Sequence, residues 1–182
     1  MKIIALDIGG TEVKGCLFDP VSSKVVARPT KIDGGYTTIL ETVCAVIAKL
    51  YTPDVQAIGL VTAGAVDSKN KRVVHNTGTL PGWIDFNLED AIRQHFDVPV
   101  FVENDANGAM IAEMEPLQEE GIRDAVMLTL GTGVGTAVVV NGELLRGHRH
   151  QIEFGHMILY PGGKRCTCGK QGCLEQYISG TA

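Results

Sequence analysis

The stretch Lys2-Ile-Ile-Ala-Leu-Asp-Ile-Gly-Gly-Thr11 decides the fold, because its form returns later in the chain as Ala125-Val-Met-Leu-Thr-Leu-Gly-Thr-Gly-Val-Gly-Thr136. Each copy is an apolar strand followed by a glycine turn with hydroxyl side chains, and a second apolar strand follows each turn. Glycine allows the backbone to approach a ligand closely, so successive N–H groups of such a turn can converge on an anion. Two facing turns of this kind could hold a polyphosphate.

Taken one at a time, each glycine turn is explained equally well by an ordinary β-hairpin. Neither is a Walker A loop, because no Gly-Lys-Ser or Gly-Lys-Thr follows it, and the second turn lacks the Gly-x-Gly-x-x-Gly spacing of dinucleotide-binding folds. The duplication, together with Asp7 at the end of the first strand, favours phosphate binding over two unrelated hairpins.

The remaining pattern alternates strands with helices, which predicts an α/β protein. The predicted strands are Lys2–Leu6, Val13–Phe18, Lys24–Arg28, Val55–Val61, Val98–Val102, Ala125–Leu130 and Thr136–Val140. Helices are predicted near 37–51, over Asn87–Phe96 with Asn87 as N-cap, and from near Asn104 onward. The polar stretch Asp67-Ser-Lys-Asn70 predicts the tip of a hairpin.

The composition is that of a folded protein without a strongly charged partner. Of 182 residues, 45% are hydrophobic and 20% are charged, which is enough apolar material for a buried core. The net charge of -5 and the lack of a Lys/Arg cluster argue against nucleic acid or an anionic membrane as a partner. No apolar run approaches the ~18 residues of a membrane span, and the start is too short for a signal peptide. We therefore expect a cytoplasmic protein.

Four residues near the end of the chain match a metal-ligand set: His156, Cys166, Cys168 and Cys173. Three thiols and one imidazole suit tetrahedral Zn²⁺, and four protein ligands leave no open position for water, so the metal would hold a loop rather than perform chemistry. The alternative is that these are ordinary thiols in a glycine-rich loop. Three of the five cysteines fall within eight residues beside turn-forming glycines, which favours zinc.

These motifs together resemble the ROK family of sugar kinases, repressors and open reading frames. The matching stretches are Asp7–Thr11, Asn76–Trp83, Glu103–Asn107, Leu130–Thr136, Glu153–His156 and Cys166–Glu175. The resemblance implies an α/β, actin-like (ribonuclease-H-like) ATPase fold with a complete first lobe over 1–115 and part of a second lobe over 116–182. The chain departs from the family pattern at Arg149–Ile152, just before Glu153, which leaves the sugar preference open.

The resemblance also implies roles for individual residues, with Asp105 as the catalytic base. Sugar contacts are implied for Gly64, Asn76, Asn104, Glu153, His156 and Glu175. ATP contacts are implied for Asp7, Gly9, Gly10, Thr11, Gly131, Thr132 and Gly133, with Asp7 also holding Mg²⁺ through water. Structural zinc would be bound by His156, Cys166, Cys168 and Cys173. Without the resemblance, Asp105 would be read as a helix cap, Asn76 as a turn residue, and Glu153 and Glu175 as solvated surface acids.

The function expected from these roles is ATP-dependent phosphorylation of a hexose 6-hydroxyl, on glucose or an N-acetylhexosamine. A sugar-sensing repressor of the same family would carry a helix-turn-helix ahead of the first strand, and because that strand begins at Lys2 this alternative is disfavoured. A third hypothesis is a non-catalytic sugar-binding fragment, since family members extend beyond Ala182 with the rest of the second lobe and most of the adenosine pocket. We also expect a homo-oligomer, a dimer.

Overall fold

A computed structural model describes residues 1–19, 23–76, 79–147 and 152–182 of the chain. The chain divides into two compact units, Met1–Asn104 and Asp105–Ala182. The predicted lobes 1–115 and 116–182 refer to the longer family fold, and that division stays a prediction. Two predicted stretches are described only in part. Residues 77–78 of the Asn76–Trp83 motif and residues 149–151 of the stretch that departs from the family pattern lie outside the described residues.

The described part of the first unit contains β1 (Lys2–Ile8), β2 (Glu12–Phe18), β3 (Ser23–Pro29), α1 (Tyr36–Leu50), β4 (Val55–Thr62), β5 (Ala65–Asp67), β6 (Arg72–His75), α2 (Leu88–Arg93) and β7 (Val100–Asn104). Five of the strands form one mixed sheet in the order β3-β2-β1-β4-β7. Strands β4 and β7 run parallel to β1, so the carboxyl ends of all three meet at one edge. Ile8, Thr62 and Asn104 lie in one row along that edge.

Helix α1 covers one face of this sheet, because its apolar residues recur every three or four positions. The buried apolar residues of α1 are Ile39, Val43, Val46, Ile47 and Leu50. They belong to one core cluster with Ile4, Leu6 and Ile8, the alternate residues of β1. Each such side chain stabilises the fold by roughly 1.5–3 kcal/mol on burial. This core fixes the sheet whose edge carries candidate site residues.

The described part of the second unit contains α3 (Asp105–Glu119), β8 (Ala125–Leu130), β9 (Val134–Val140), β10 (Glu143–Leu144), a single 3₁₀ turn (Phe154–His156) and α4 (Glu175–Ile178). The three strands form an antiparallel sheet in the order β10-β9-β8. Helix α3 packs on this sheet through a small core of Ala106, Met110, Ala137 and Val139.

Element types follow the sequence predictions, and the bounds differ where turn chemistry intervenes. Strand β1 runs through Asp7 to Ile8, two residues past its predicted end. Strand β7 begins at Val100 instead of Val98, because Pro99 has no N–H to donate to a ladder. The predicted N-cap of α2 is confirmed, since the Asn87 side chain accepts a hydrogen bond from the Asp90 amide, but the helix ends at Arg93 rather than Phe96. No helix within the described ranges combines the length and apolar character that crossing a bilayer requires.

Candidate active site and metal centre

The first glycine turn, Ile8–Thr11, is closed by its own backbone and by Thr30. The Gly9 amide donates to the Glu12 carbonyl at 3.0 Å. Thr30 adds two bonds, from its hydroxyl to the Gly9 carbonyl at 2.7 Å and from its amide to the Thr11 carbonyl at 2.9 Å. Within the described part of the chain, the Gly10 and Thr11 amides donate to no acceptor. These two N–H groups are the donors that this turn can offer to an anion.

Asp7 lies one residue before the end of β1, beside the first turn. The residue is exposed, yet partial desolvation of its carboxyl by the surrounding protein raises its pKa above the ordinary value. Lys14 opposes this shift and Glu12 adds to it. A carboxylate at this exposed position can hold a cation, as the predicted Mg²⁺ role requires.

Two of the predicted sugar-side residues in the first unit contact each other. The Asn104 side-chain amide, at the end of β7, donates to the Gly64 carbonyl at 2.9 Å. Gly64 has a φ of +99°, and a Cβ added there would lie 2.5 Å from the His75 carbonyl oxygen. Only glycine fits that position without strain, so the 62–66 loop approaches Asn104 through backbone alone.

Asn76, the third predicted sugar-side residue of this unit, is engaged within its own loop. Its Nδ2 donates to the Leu80 carbonyl at 2.9 Å, and its Oδ1 accepts from the Thr79 amide at 3.1 Å. The sequence allowed two roles for Asn76, a turn residue or a sugar contact, and these bonds are those of a turn residue. The structure therefore joins Asn104 to Gly64 and gives Asn76 a structural task in a neighbouring loop.

Sequence reasoning missed the residues that hold these loops. The Trp83 indole donates to the Thr62 hydroxyl at 3.0 Å, and both residues are completely buried. This bond ties the loop after Asn76 to the end of β4. The buried Glu103 carboxylate accepts from the Asn104 amide at 3.0 Å and so fixes the backbone at the end of β7. In the sequence, Trp83 and Glu103 lie within the matching stretches Asn76–Trp83 and Glu103–Asn107, but nothing there indicates these bonds.

Asp105 opens α3 directly after β7 ends, as the sequence predicted. The residue is exposed, and its carboxylate accepts from the Ala106 amide at 2.8 Å. A carboxylate at the first turn of a helix is stabilised by the amides there and is fixed in place by the packed Ala106 that follows it. Such a group can be presented to a hydroxyl as a general base.

The second glycine turn, Gly131–Val134, is closed in a similar way. The Gly131 amide donates to the Gly133 carbonyl at 3.0 Å, and the Val134 amide donates to Oε2 of Glu175 at 3.1 Å. Among the described residues, the Thr132 and Gly133 amides have no acceptor. Each glycine turn thus keeps two adjacent amides available.

The four predicted metal ligands lie together. One ligand atom from each of His156, Cys166, Cys168 and Cys173 falls within 4.8 Å of all the others. The Cys166 sulfur is 3.6 Å from Nδ1 of His156, and the Cys168 and Cys173 sulfurs are 3.6 Å apart. Tetrahedral zinc, with Zn–S near 2.3 Å and Zn–N near 2.0 Å, places its ligand atoms roughly 3.5–3.8 Å apart. The donor set and these two distances therefore fit Zn²⁺.

The surroundings of this cluster also suit a cation. Cys166 and Cys173 are buried, and burial, together with the Cys168 and Cys166 thiols, raises the pKa of the Cys173 thiol to about 12. Crowded thiols of this kind become good ligands when a divalent ion replaces their protons. The loop closes through Gly172, whose amide donates to the Lys164 carbonyl at 2.8 Å, and a side chain at that position would collide with the Tyr160 carbonyl.

The predicted sugar-side acids of the second unit flank the metal cluster. Glu153 is exposed and precedes the 3₁₀ turn that carries His156. Glu175 opens α4 two residues after Cys173, and its carboxylate points to the second glycine turn. The cluster thus connects a candidate sugar-side segment to a candidate phosphate-side turn within one unit.

Comparison with known proteins assigns this arrangement to a family, since the model of the ROK family matches residues 3–182. The chain belongs to the ROK family. A glucokinase from Halalkalibacterium halodurans is 33% identical to it over 189 residues, covering 98% of this chain and 56% of the relative. An N-acetylmannosamine kinase from Yersinia pseudotuberculosis is 33% identical over 186 residues, covering 100% and 62%.

A solved structure similar to this ROK chain is a ROK family glucokinase from Streptomyces griseus in complex with glucose and AMPPNP. It superposes with a TM-score of 0.82 and 36% identity, covering 99% of this chain and 58% of that one. The fold is accordingly the α/β, actin-like ATPase fold of ROK sugar kinases. The chain spans 56% and 62% of the length of the two curated relatives.

Proposed function

We propose that the protein to which these 182 residues belong transfers the γ-phosphoryl group of ATP to the 6-hydroxyl of a hexose, glucose or an N-acetylhexosamine. Family membership and similarity to a glucokinase that holds glucose and AMPPNP support the reaction class. The observation that carries the proposal is the exposed Asp105 carboxylate at the start of α3, in a chain whose two glycine turns each keep two amides available.

In the proposed reaction Asp105 accepts the proton of the 6-hydroxyl as its oxygen attacks the γ-phosphorus. The bond from the γ-phosphorus to the bridging oxygen breaks, and ADP leaves with that oxygen. The amides of Gly10 and Thr11 in one turn, and of Thr132 and Gly133 in the other, donate to phosphate oxygens. Fixed donors of this kind offset developing charge without reorganisation.

The remaining predicted residues have supporting tasks. Asp7 would hold Mg²⁺, which would supply positive charge to neutralise the phosphates. Asn104, Gly64, Asn76, Glu153, His156 and Glu175 form the sugar side. His156, Cys166, Cys168 and Cys173 would hold Zn²⁺, and with four protein ligands the ion would fix the loop that joins Glu153 to Glu175.

Asp105→Asn tests the proposal. Asparagine is nearly isosteric but cannot accept the proton, so we expect kcat to fall roughly 10²–10⁴-fold while sugar affinity is kept. The measurement is a coupled assay of ADP release with a panel of hexoses, on this chain and on any longer product of its gene. Glu113→Gln, on an exposed position of the same helix, is the matched control and should keep kcat. Unchanged turnover in Asp105→Asn would place the base elsewhere, and a repressor or a binding fragment would show no turnover to lose.

A further inference from the structure

The carboxylate of Glu175 is bonded to the second glycine turn. Its Oε2 accepts the Val134 amide at 3.1 Å across 41 residues of sequence. The fit is close, because a Cβ added to Gly133 would collide with the same oxygen. A bond from an amide to a charged acceptor is stronger than one between neutral groups. Glu175 therefore holds the last amide of the turn in a fixed direction.

Two further bonds reach the same turn from the residues just beyond α4. The Gly180 amide donates to the Gly131 carbonyl at 2.8 Å. The Thr181 hydroxyl donates to the Thr132 carbonyl at 2.9 Å. Each of these carbonyls shares a planar peptide unit with the N–H of the next residue, so the two bonds also fix the directions of the Thr132 and Gly133 amides. The segment 175–181, with Glu175 at its start, therefore braces the turn at three residues, Gly131, Thr132 and Val134.

This bracing segment begins at the metal cluster. Cys173 accepts, through its carbonyl, the Gln176 amide at 3.0 Å, which forms the first turn of α4. The other oxygen of Glu175, Oε1, lies 3.9 Å from the Cys166 sulfur. One carboxylate thus has one oxygen beside a predicted zinc ligand and the other on the glycine turn.

We propose that Glu175 is a positioning residue for nucleotide binding, which couples the order of the metal loop to the second glycine turn. By holding the Val134 amide, Glu175 fixes the turn so that the adjacent Thr132 and Gly133 amides face a phosphate. This role rests on the proposed function, and it is additional to the sugar contact expected at this position. It predicts that ATP affinity depends on a side chain that need not touch ATP.

Variants of Glu175 separate the two roles. Glu175→Ala removes the acceptor, and Glu175→Gln keeps an oxygen that can accept the Val134 amide while losing the charge. In Glu175→Ala we expect amide hydrogen exchange in a peptide covering 131–135 to accelerate roughly tenfold, as for the loss of one hydrogen bond to a charged group. We expect a similar rise in KM for ATP. Glu175→Gln should restore most of the exchange protection and of the ATP affinity, whatever it loses on the sugar side.

Thr181→Val is a second, milder variant that removes only the bond to Thr132 and should give a smaller acceleration in the same peptide. Glu143→Gln, an exposed acid on β10, is the control. Zinc content near one per chain in every variant shows that the metal loop is intact. Unchanged exchange at 131–135 in Glu175→Ala, or tighter ATP binding because a competing carboxylate has gone, would overturn the proposal. Exchange is measured without nucleotide, so accelerated exchange in a protein without kinase activity would count against the proposed function and leave the bracing intact.

Discussion

The two glycine turns resemble each other in sequence and in the amides they keep available, but they are held in place by different means. The first turn is braced by Thr30, which follows β3 in the same sheet and lies 21 residues from Gly9. The second is braced by residues 175–181, 41 to 49 residues away, which follow the metal cluster. The first turn is therefore held by its own sheet, whereas the second is held by the segment that follows the four predicted metal ligands.

This difference has an energetic consequence. The sheet of the first unit is supported by a large apolar core, so the conformation of its turn is stabilised along with the fold. The core cluster of the second unit is much smaller, and a metal site can supply order that such a core does not. Metal binding would then stabilise a turn that contains none of the metal ligands.

The largest expected effect comes from breaking the metal site. Cys173→Ser replaces a fully buried predicted ligand, and we expect zinc to fall from one per chain to near zero. The loss of affinity should exceed the roughly 10–100-fold typical of an outer-shell change. Elemental analysis of protein purified without added metal is the measurement. Cys44→Ala, on α1 outside the cluster, should keep its zinc, and full zinc retention in Cys173→Ser would mean that the metal is absent or bound elsewhere.

A smaller effect is expected from crowding the second turn. A Cβ at Gly133 collides with the Glu175 carboxylate, so Gly133→Ala should destabilise the chain by about 1–3 kcal/mol. Gly131→Ala is the matched control, because a Cβ there meets nothing within 4 Å. Denaturant unfolding of both variants gives the comparison. Combining Gly133→Ala with Glu175→Ala should recover part of the loss, and equal costs for the two single alanine variants would contradict the bracing contact.

The smallest effect is expected at the first turn. Asp7 stands two residues before its first glycine, where the second turn has Thr129. Because the folded-state pKa of Asp7 is raised, its ionised form costs stability above that pKa, and the cost disappears below the unfolded value near 3.8. At pH 7, the unfolding temperature of Asp7→Asn should therefore equal that of the unchanged protein or be slightly higher. At pH 3 the two unfolding temperatures should not differ.

Thermal unfolding at the two pH values, with Asp33→Asn as an exposed control in the same unit, is the measurement. A clear loss of stability in Asp7→Asn at pH 7 would show that the carboxylate holds the first turn. That result would remove the contrast between a turn braced by Thr30 and a turn braced by a carboxylate.

The strands, the glycine turns and the position of Asp105 could be predicted from the sequence. Alternating apolar residues indicated β1 and β8, and the restart of the same pattern indicated two related turns. The strand-to-helix position of Asp105 followed from an apolar run ending at a helix start. The grouping of His156, Cys166, Cys168 and Cys173 could be predicted from ligand chemistry, because three thiols and an imidazole fit one ion.

The bracing contacts could not be predicted in this way. A glutamate beside a metal motif gives no sign that it will accept an amide 41 residues earlier, since that contact depends on how α4 leaves the cluster. The buried bond from Trp83 to Thr62 is a similar case, as it arises from packing between two loops. Periodicity and turn chemistry describe neighbours in sequence, whereas these bonds are set by tertiary packing.

The most direct test of the central claim is amide hydrogen exchange on this chain with zinc bound and after chelation, with peptides covering 8–12, 131–135 and 136–140 compared. We expect exchange at 131–135 to accelerate when zinc is removed, while 8–12 in the first unit and 136–140 within β9 keep their protection. Equal acceleration in all three peptides would mean that zinc acts on folding in general. No change at 131–135 would contradict a second glycine turn that is held through the metal loop.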